Sequence, residues 1–234
     1  MDRQDYFSLH ELYYLMGAFD GTTLIGLPSL EQVSLPRRTI WEDTKEALTA
    51  KGLLEEDGQL TDAGFVLVEV LKEYCLGQSL TIINNFYLML SRDRQSTILI
   101  VDTAQGYQLA RLSALGPLKL IQEKIPMTLR EPLDDETSFL SLEMTLIPEI
   151  ETVLASDQTL VVQHYPLLAM LETQHRKELK EQWFFTEWKG QLLGYNASQK
   201  TLFRFSQYYF LERLFTWLGI PFREEDFDKW HSFK

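Results

Sequence analysis

The sequence predicts an α+β fold in which helical bundles flank a central antiparallel β-sheet and two loosely pseudo-symmetric halves follow one another. From the N-terminus to about Cys75, apolar side chains recur at helical spacing. From about residue 80 the pattern changes to short apolar runs, and the turns between them are too short for crossover helices. The same order of helices followed by a strand meander recurs later. We therefore expect a single domain over residues 1–234, with halves at 1–118 and 119–234.

Composition and charge exclude several classes of protein. The 234 residues include 22 Lys and Arg but 34 Asp and Glu, which gives a net charge of −12. Such an acidic surface repels phosphate, so we expect no nucleic-acid partner. The only cysteine, Cys75, allows no internal disulfide, and no apolar run is long enough to insert into a membrane. The start of the chain lacks a signal-peptide pattern. These features predict a soluble cytoplasmic protein. We also expect it to be a monomer or a weak homodimer.

The N-terminal third is predicted to contain three helices. The first covers residues 8–19, where Ser8 and Glu11 form a capping box, and a loop follows at 21–36. The second covers 39–51 and ends at Gly52. The third begins after Thr61 and continues to about Tyr74. Its inward face is predicted to consist of Phe65, Val68 and Leu71.

Residues 39–74 also resemble a winged-helix fragment, because an acidic turn at Asp57-Gly58 separates the second and third helices. A winged-helix transcription regulator is therefore the alternative function. Its basic residues, however, are outnumbered by neighbouring acids, which weakens any attraction to DNA. The bases are Arg37, Arg38, Lys45 and Lys51, and the acids are Glu42, Asp43, Glu46, Glu55, Glu56 and Asp57.

A first meander is predicted over residues 80–112. An apolar run at 80–91 is followed by a polar hairpin turn, by the clear strand 96–102 and by a strand at 107–112. A short helix is expected at 118–125. The hairpin turn consists of Arg92, Asp93, Arg94 and Gln95.

The second half is predicted to repeat this order. A helical zone opens at 134–137, and amphipathic helices follow at 141–155 and 166–182. A second meander covers 183–206, and a C-terminal helix at 211–218 ends at Gly219. Most aromatic residues of the segment 208–217 are expected in the core. Beyond Pro221, aromatic residues alternate with acids and are suited either to docking back or to contacting a partner.

Residue patterns give no positive sign of catalysis. The four histidines lie in different predicted elements, and none belongs to a metal-binding pair. Phosphate-binding glycine loops and a nucleophile elbow are missing from the sequence. Cys75 ends an apolar helical face, where a free cysteine is usually a small core residue. We expect no catalytic residue, no metal and no cofactor; an enzyme with scattered catalytic residues is the third hypothesis.

The order of segments resembles a known family. A leucine-rich helix at 9–15 leads to Leu27-Pro28, then to a helix ending in the sequence ALTAKGLL at 47–54, and then to an acidic turn with Gly58. A helix containing Leu67-Val68-Glu69-Val70-Leu71 and a strand meander follow. This series is similar to the EspG-type chaperones of type VII (ESX) secretion, and to a related family encoded with such systems in other Gram-positive bacteria. The similarity is clearest over residues 7–112.

The resemblance implies a cytosolic, non-enzymatic chaperone. Such a protein binds a helical secreted substrate of the WXG, LXG or PPE type and keeps it soluble before export. By position, the resemblance places partner contacts in the turn formed by Arg92, Asp93, Arg94 and Gln95. It also places contacts in the region 211–222, which contains Phe215, Trp217 and Phe222.

Overall fold

The computed structural model describes residues 6–30, 38–145, 154, 158–166, 181–223 and 230. Within them lie five α-helices: α1 (Leu9–Met16), α2 (Arg38–Ala50), α3 (Asp62–Cys75), α4 (Gly116–Lys124) and α5 (Gln207–Trp217). The strands of the first half are β1 (Ser79–Ile83), β2 (Phe86–Leu90), β3 (Ser96–Thr103) and β4 (Gly106–Ser113). Those of the second half are β5 (Ser141–Met144), β6 (Leu160–Tyr165), β7 (Glu181–Trp188), β8 (Gln191–Asn196) and β9 (Thr201–Phe205).

These nine strands form one antiparallel sheet in the order β4-β3-β2-β1-β6-β7-β8-β9-β5. Helices together with a large antiparallel sheet confirm the predicted α+β class. The chain divides into two compact units. Unit 1 contains Met1–Leu80 and Asn85–Arg111, and unit 2 contains Thr81–Asn84 and Leu112–Lys234. The prediction of a single domain over residues 1–234, with halves at 1–118 and 119–234, stays a prediction.

The helices of unit 1 follow the sequence signals closely. Ser8 Oγ accepts a hydrogen bond from the Glu11 amide at 3.2 Å, and Glu11 Oε2 accepts one from the Ser8 amide at 2.6 Å. This capping box confirms the predicted start of α1. Lys51 Nζ lies 2.5 Å from Glu11 Oε1, so an ion pair with little solvent exposure ties the end of α2 to α1. The central core side chains are Leu12, Leu48, Leu71 and Tyr74, all fully buried.

The wing-like turn between α2 and α3 is present as a single antiparallel bridge between Leu54 and Leu60. Thr61 caps α3 through its side chain, which accepts from the Gly64 amide at 3.1 Å. Gly64 allows a close approach here, because a Cβ at this position would lie 2.2 Å from the Leu53 carbonyl oxygen.

The predicted apolar run at 80–91 contains two strands. The backbone reverses at Asn84-Asn85, where Asn84 has a φ of 52°. Asparagine tolerates this left-handed conformation better than most residues do. β1 therefore ends at Ile83, and β2 begins at Phe86. β2 then pairs with β3 in register, with Leu88 opposite Leu99.

In unit 2, two predictions for the region before the second meander are wrong. Residues 141–144, predicted as the start of a helix, form strand β5, in which Ser141 pairs with Phe205 of β9. Glu181 and Gln182, predicted as the end of a helix, begin β7. Most of the predicted helices at 141–155 and 166–182 lies outside the described residues. Strand β6, which pairs with β7, has no counterpart in the sequence predictions.

The second meander and the last helix agree with the sequence. β7, β8 and β9 pair in order, and their aromatic side chains meet α5. Phe185, Phe205 and Phe210 are almost completely buried, and the Phe185 and Phe210 ring centroids lie 5.0 Å apart. α5 begins at Gln207, earlier than predicted, because Ser206 Oγ accepts from the Tyr209 amide and caps it. In the described part of the chain, no helix has the length and apolar character needed to cross a membrane.

Candidate protein-binding surface

The polar turn predicted to contact a partner is an exposed hairpin turn in unit 1. Its four residues, Arg92, Asp93, Arg94 and Gln95, are all exposed. Asp93 organises the turn, since its Oδ1 accepts from the Gln95 amide at 2.9 Å and from the Ser91 hydroxyl at 2.7 Å. These two hydrogen bonds, the Gln95 amide first, lower the pKa of the Asp93 carboxyl. The turn therefore presents a fixed carboxylate between two arginines.

The turn is fastened to the C-terminal end of α3. Arg92 Nε donates to the Leu76 carbonyl oxygen at 2.7 Å. A helix end leaves such acceptors without intrahelical partners. Glu73 on α3 forms an ion pair with Arg111 of β4 at 3.1 Å and accepts a hydrogen bond from the Ser96 hydroxyl. An open cleft of about 470 Å³ lies between these elements. It is lined by Glu69, Lys72, Glu73, Leu76, Ser91, Arg92, Asp93 and Arg111.

Large apolar side chains on the outer side of α3 are exposed to solvent. Phe65 is 57% exposed, Val66 66% and Leu76 46%. The prediction that Phe65 belongs to the core is wrong. At about 100° of rotation per helical residue, Phe65 lies roughly 120° away from the buried Leu71. The buried side of α3 instead contains Gly64, Val68, Leu71 and Tyr74.

Four residues lie one after another along this outer side: three belong to α3, and the fourth is its C-terminal cap. Phe65, Glu69, Lys72 and Leu76 follow one another at spacings of four, three and four residues. This spacing keeps them within about 60° around the helix axis. We call this set the α3 stripe. Its two central residues form a surface ion pair, with Lys72 Nζ 3.5 Å from Glu69 Oε1. The exposed Phe65 and Leu76 make this stripe a candidate surface for contact with another protein.

The aromatic residues predicted as partner contacts in the second half lie inside unit 2. Phe215 is 3% exposed and Trp217 4%, so neither offers its ring to solvent. Phe222 is half-buried, and its ring centroid lies 4.8 Å from that of Phe215 and 5.3 Å from that of Tyr208. Trp230 also packs against Phe215. Phe222 and Trp230 therefore pack against α5.

Glu181 at the start of β7 gathers several donors beside this aromatic cluster. Its Oε2 accepts from the indole N–H groups of Trp183 and Trp217, each at 3.2 Å, and forms a close ion pair with Arg213. Burial raises the pKa of Glu181, but Arg213 and the indole hydrogen bonds outweigh it, and the net pKa is lowered. The carboxylate therefore stays ionised and positions α5, which is a structural role.

A second polar cluster in unit 2 is also structural. Arg130 pairs with both oxygens of Glu136, at 2.5 and 2.6 Å, and the Gln207 amide donates to Glu136 at 2.8 Å. Arg130 and Leu129 are among the residues lining a neighbouring cavity of about 510 Å³, whose other charged side chains are Lys124 and Glu187. The guanidinium of Arg130 forms an ion pair with Glu136 and donates a hydrogen bond to the side-chain oxygen of Gln207. Because of these interactions, we assign Arg130 no ligand-binding role.

The described histidines and the cysteine do not gather into a site. His164 Nδ1 lies 3.0 Å from the Thr81 hydroxyl, whereas His175 and His231 lie outside the described residues. Among the residues that the structure describes, no three His, Cys, Asp or Glu side chains come close enough to hold a metal ion. Cys75 is half-buried, more accessible than the predicted core position.

The winged-helix segment has an acidic surface once it is folded. Exposed carboxylates on α2 and on the following turn come from Glu42, Asp43, Glu46, Glu55, Glu56 and Asp57. Lys45 and Lys51 are partly buried, and Lys51 is paired with Glu11. A phosphate backbone would therefore meet mainly negative charge on this face.

Comparison with known proteins gives a family but no function. No curated protein matches the chain. A family model, described as a domain of unknown function, matches residues 1–226, which is nearly the whole length. The chain therefore belongs to the DUF5081 family.

Proposed function

We propose that this protein is a non-enzymatic cytosolic chaperone or adaptor that binds a helical type VII secretion substrate and keeps it soluble before export. The secretion context comes from the resemblance of residues 7–112 to EspG-type chaperones. The partner is expected to be a helical protein of the WXG, LXG or PPE type.

The observation that supports this proposal most directly is the exposed apolar surface of α3 beside the fixed polar turn. Phe65, Val66 and Leu76 are all exposed there. Covering these side chains with a partner would contribute roughly 25 cal/mol of favourable free energy for every Å² of apolar surface removed from water. Charged groups of both signs line the cleft beside Leu76, which gives a partner both an apolar contact and a means of orientation. Arg92, Asp93 and Arg111 supply these charges in the cleft.

A helix suits this surface better than an extended segment does. Phe65 and Leu76 are eleven residues apart. That separation corresponds to about 16 Å along the axis of α3. An amphipathic partner helix of three to four turns presents apolar side chains over that length at helical spacing. The partner would lie along the α3 stripe, with its polar flank against the turn.

The test is co-expression with each small helical protein encoded near the gene, followed by affinity purification of the chain. We expect one of them to co-purify as a soluble complex. Leu76→Ser should then weaken binding at least tenfold, because it removes an apolar contact without changing charge. The matched control is Leu115→Ser, since Leu115 is 65% exposed and belongs to unit 2, not to α3.

Two results would contradict the proposal. One is failure of every helical neighbour to co-purify. The other is equal loss of binding in the Leu76→Ser and Leu115→Ser variants, which would show that the α3 surface has no special part in the contact.

A further inference from the structure

We infer that the α3 stripe is a self-complementary surface through which two copies of this chain form a weak antiparallel homodimer. The inference uses the same surface as the proposed function, but it needs no substrate. It follows from the order of residue types along the stripe and from their exposure.

The order of residue types along the stripe is the same when it is read in either direction, except that the acidic and basic positions exchange places. Read from the N-terminus it is apolar, acidic, basic and apolar: Phe65, Glu69, Lys72 and Leu76. Both the outer pair and the inner pair are centred between residues 70 and 71. A twofold axis through that point, perpendicular to the helix, would place α3 of one copy antiparallel to α3 of the other. Phe65 would then face Leu76 of the second copy, and Glu69 would face its Lys72.

The contact of Phe65 with Leu76 and that of Glu69 with Lys72 are both favourable. Each occurs twice, as an isologous interface requires. The two apolar contacts cover side chains that are 57% and 46% exposed in one copy. Glu69 and Lys72 already form an ion pair within the chain, and their side chains are 70% and 45% exposed. Both can therefore extend the pair into a four-residue network across the axis.

The ends of the helices are also complementary. The first turn of α3 contains the exposed Asp62, whereas Arg92 donates to the carbonyl oxygen of Leu76, the residue that caps the other end. Antiparallel pairing brings Asp62 of one copy toward the Arg92 end of the other, and it opposes the two helix dipoles. A parallel arrangement would instead put Glu69 beside Glu69 and Lys72 beside Lys72, which is unfavourable.

A contact made by one helix from each copy covers a small area. Interfaces below about 1,200 Å² are typically weak and transient, so we expect a dimer that forms at tens to hundreds of micromolar protein. The net charge of −12 on each copy opposes association further. In the dimer, Phe65 and Leu76 are both covered, so a copy without substrate does not leave the two apolar ends of the stripe in water.

Charge reversal provides a test that also controls for folding. Glu69→Lys creates two Lys–Lys contacts across the axis, and Lys72→Glu creates two Glu–Glu contacts. Each variant alone should dimerise at least tenfold more weakly than the original chain in sedimentation velocity. An equal mixture of the two should form a heterodimer about as strongly as the original chain pairs with itself, because both contacts then join opposite charges.

The control is Glu46→Lys, which makes the same charge change at an exposed position of α2 and should leave dimerisation unchanged. The inference is overturned if the original chain stays monomeric up to about 1 mM. It is also overturned if both single reversals dimerise as the original does, or if their mixture fails to associate. Since the assay contains only this chain, failure of dimerisation is distinguishable from failure of the co-purification test for substrate binding.

Discussion

At the residue scale, Cys75 shows how burial controls chemistry. This residue is the last of α3. Its Sγ lies 3.7 Å from the Thr23 carbonyl oxygen, and its side chain is half-buried. Burial raises the pKa of the thiol from 9.0 to about 11. The thiolate loses hydration that this site does not replace. Only the thiolate is a strong nucleophile, so the folded protein protects its one cysteine.

We predict that Cys75 reacts slowly with iodoacetamide in the folded protein. The thiol pKa is raised from 9.0 to about 11. At pH 8, such a shift reduces the thiolate fraction roughly a hundredfold. The measurement compares the alkylation rate of the native chain with that of the chain unfolded in urea. As the pH rises, the native rate should keep increasing until about pH 11.

Cys75→Ser is the control for this measurement, because the chain has no other cysteine and the variant should take up no label. A native rate that levels off near pH 9, as an ordinary thiol does, would contradict the prediction.

Single residues differ in how far the sequence alone explains them. The capping role of Ser8 could be predicted, because its partner Glu11 is three positions away. The role of Gly194 could not. A Cβ on Gly194 would lie 2.8 Å from ring atoms of both Phe185 and Phe205, which come from the two strands beside β8. Its small size matters only after those strands have paired.

At the scale of elements, a buried ion pair joins Arg130 to Glu136 of the short helical turn at Asp134–Ser138. The side chains of Arg130 and Glu136 are 7% and 1% exposed. Glu136 also accepts from the amide of Gln207, the first residue of α5, where a helix favours negative charge. Gln207 in turn donates to the carbonyl groups of Met127 and Thr128. One carboxylate thus fixes two elements.

We predict that Glu136→Gln lowers the free energy of unfolding by about 3–5 kcal/mol, because it leaves the Arg130 charge buried without its partner. Urea denaturation at pH 7 measures this value. The double variant Arg130→Met/Glu136→Leu should be less destabilised than Glu136→Gln, since it leaves no buried charge.

Asp134→Asn is the matched control for this experiment. Asp134 is an exposed carboxylate two residues away from Glu136. Its substitution should change the free energy of unfolding by less than about 0.5 kcal/mol, as is usual for surface positions. A loss in Glu136→Gln no larger than in Asp134→Asn would show that the buried pair contributes nothing.

Strands could be predicted where the pattern of residues within the strand and its turns is sufficient to identify them. The meander strands β7, β8 and β9 have apolar and aromatic runs separated by turns, and the sequence predicts all three. β5 has no such signal: it is four residues long, and Leu142 on it is 46% exposed. Its extended conformation depends on pairing with β9, far along the chain, which outweighs the helical spacing of the sequence around it.

At the scale of the whole molecule, fold class was easier to predict than the proposed binding surface on α3. Helical periodicity followed by short strands determines an α+β class, whatever the details. The α3 stripe was missed because Phe65, Val68 and Leu71 all fit one apolar face in a sequence pattern. Only packing shows that Phe65 faces away, since the interior side of α3 is occupied by Gly64, Val68 and Leu71.

The charge of the molecule gives the last prediction, which concerns the winged-helix alternative. The net charge of −12 is not confined to distant parts of the chain, because Glu46, Glu55 and Glu56 are exposed on α2 and on the turn that follows it. A protein that reads DNA gains most of its affinity by neutralising phosphates and releasing counterions. This face adds negative charge next to phosphate instead, so the intact protein should not bind duplex DNA.

Fluorescence anisotropy of a labelled duplex at about 20 mM salt tests this prediction, since low salt favours any phosphate contact. We expect no binding by the original chain. Reversing the three charges with Glu46→Lys, Glu55→Lys and Glu56→Lys should create weak binding that falls steeply as salt is added, which shows that the assay detects contacts at this face. Salt-dependent binding by the original chain would contradict the prediction and favour a transcription regulator over a chaperone. If only the reversed variant binds, then the acidic residues themselves keep this winged-helix segment from binding DNA.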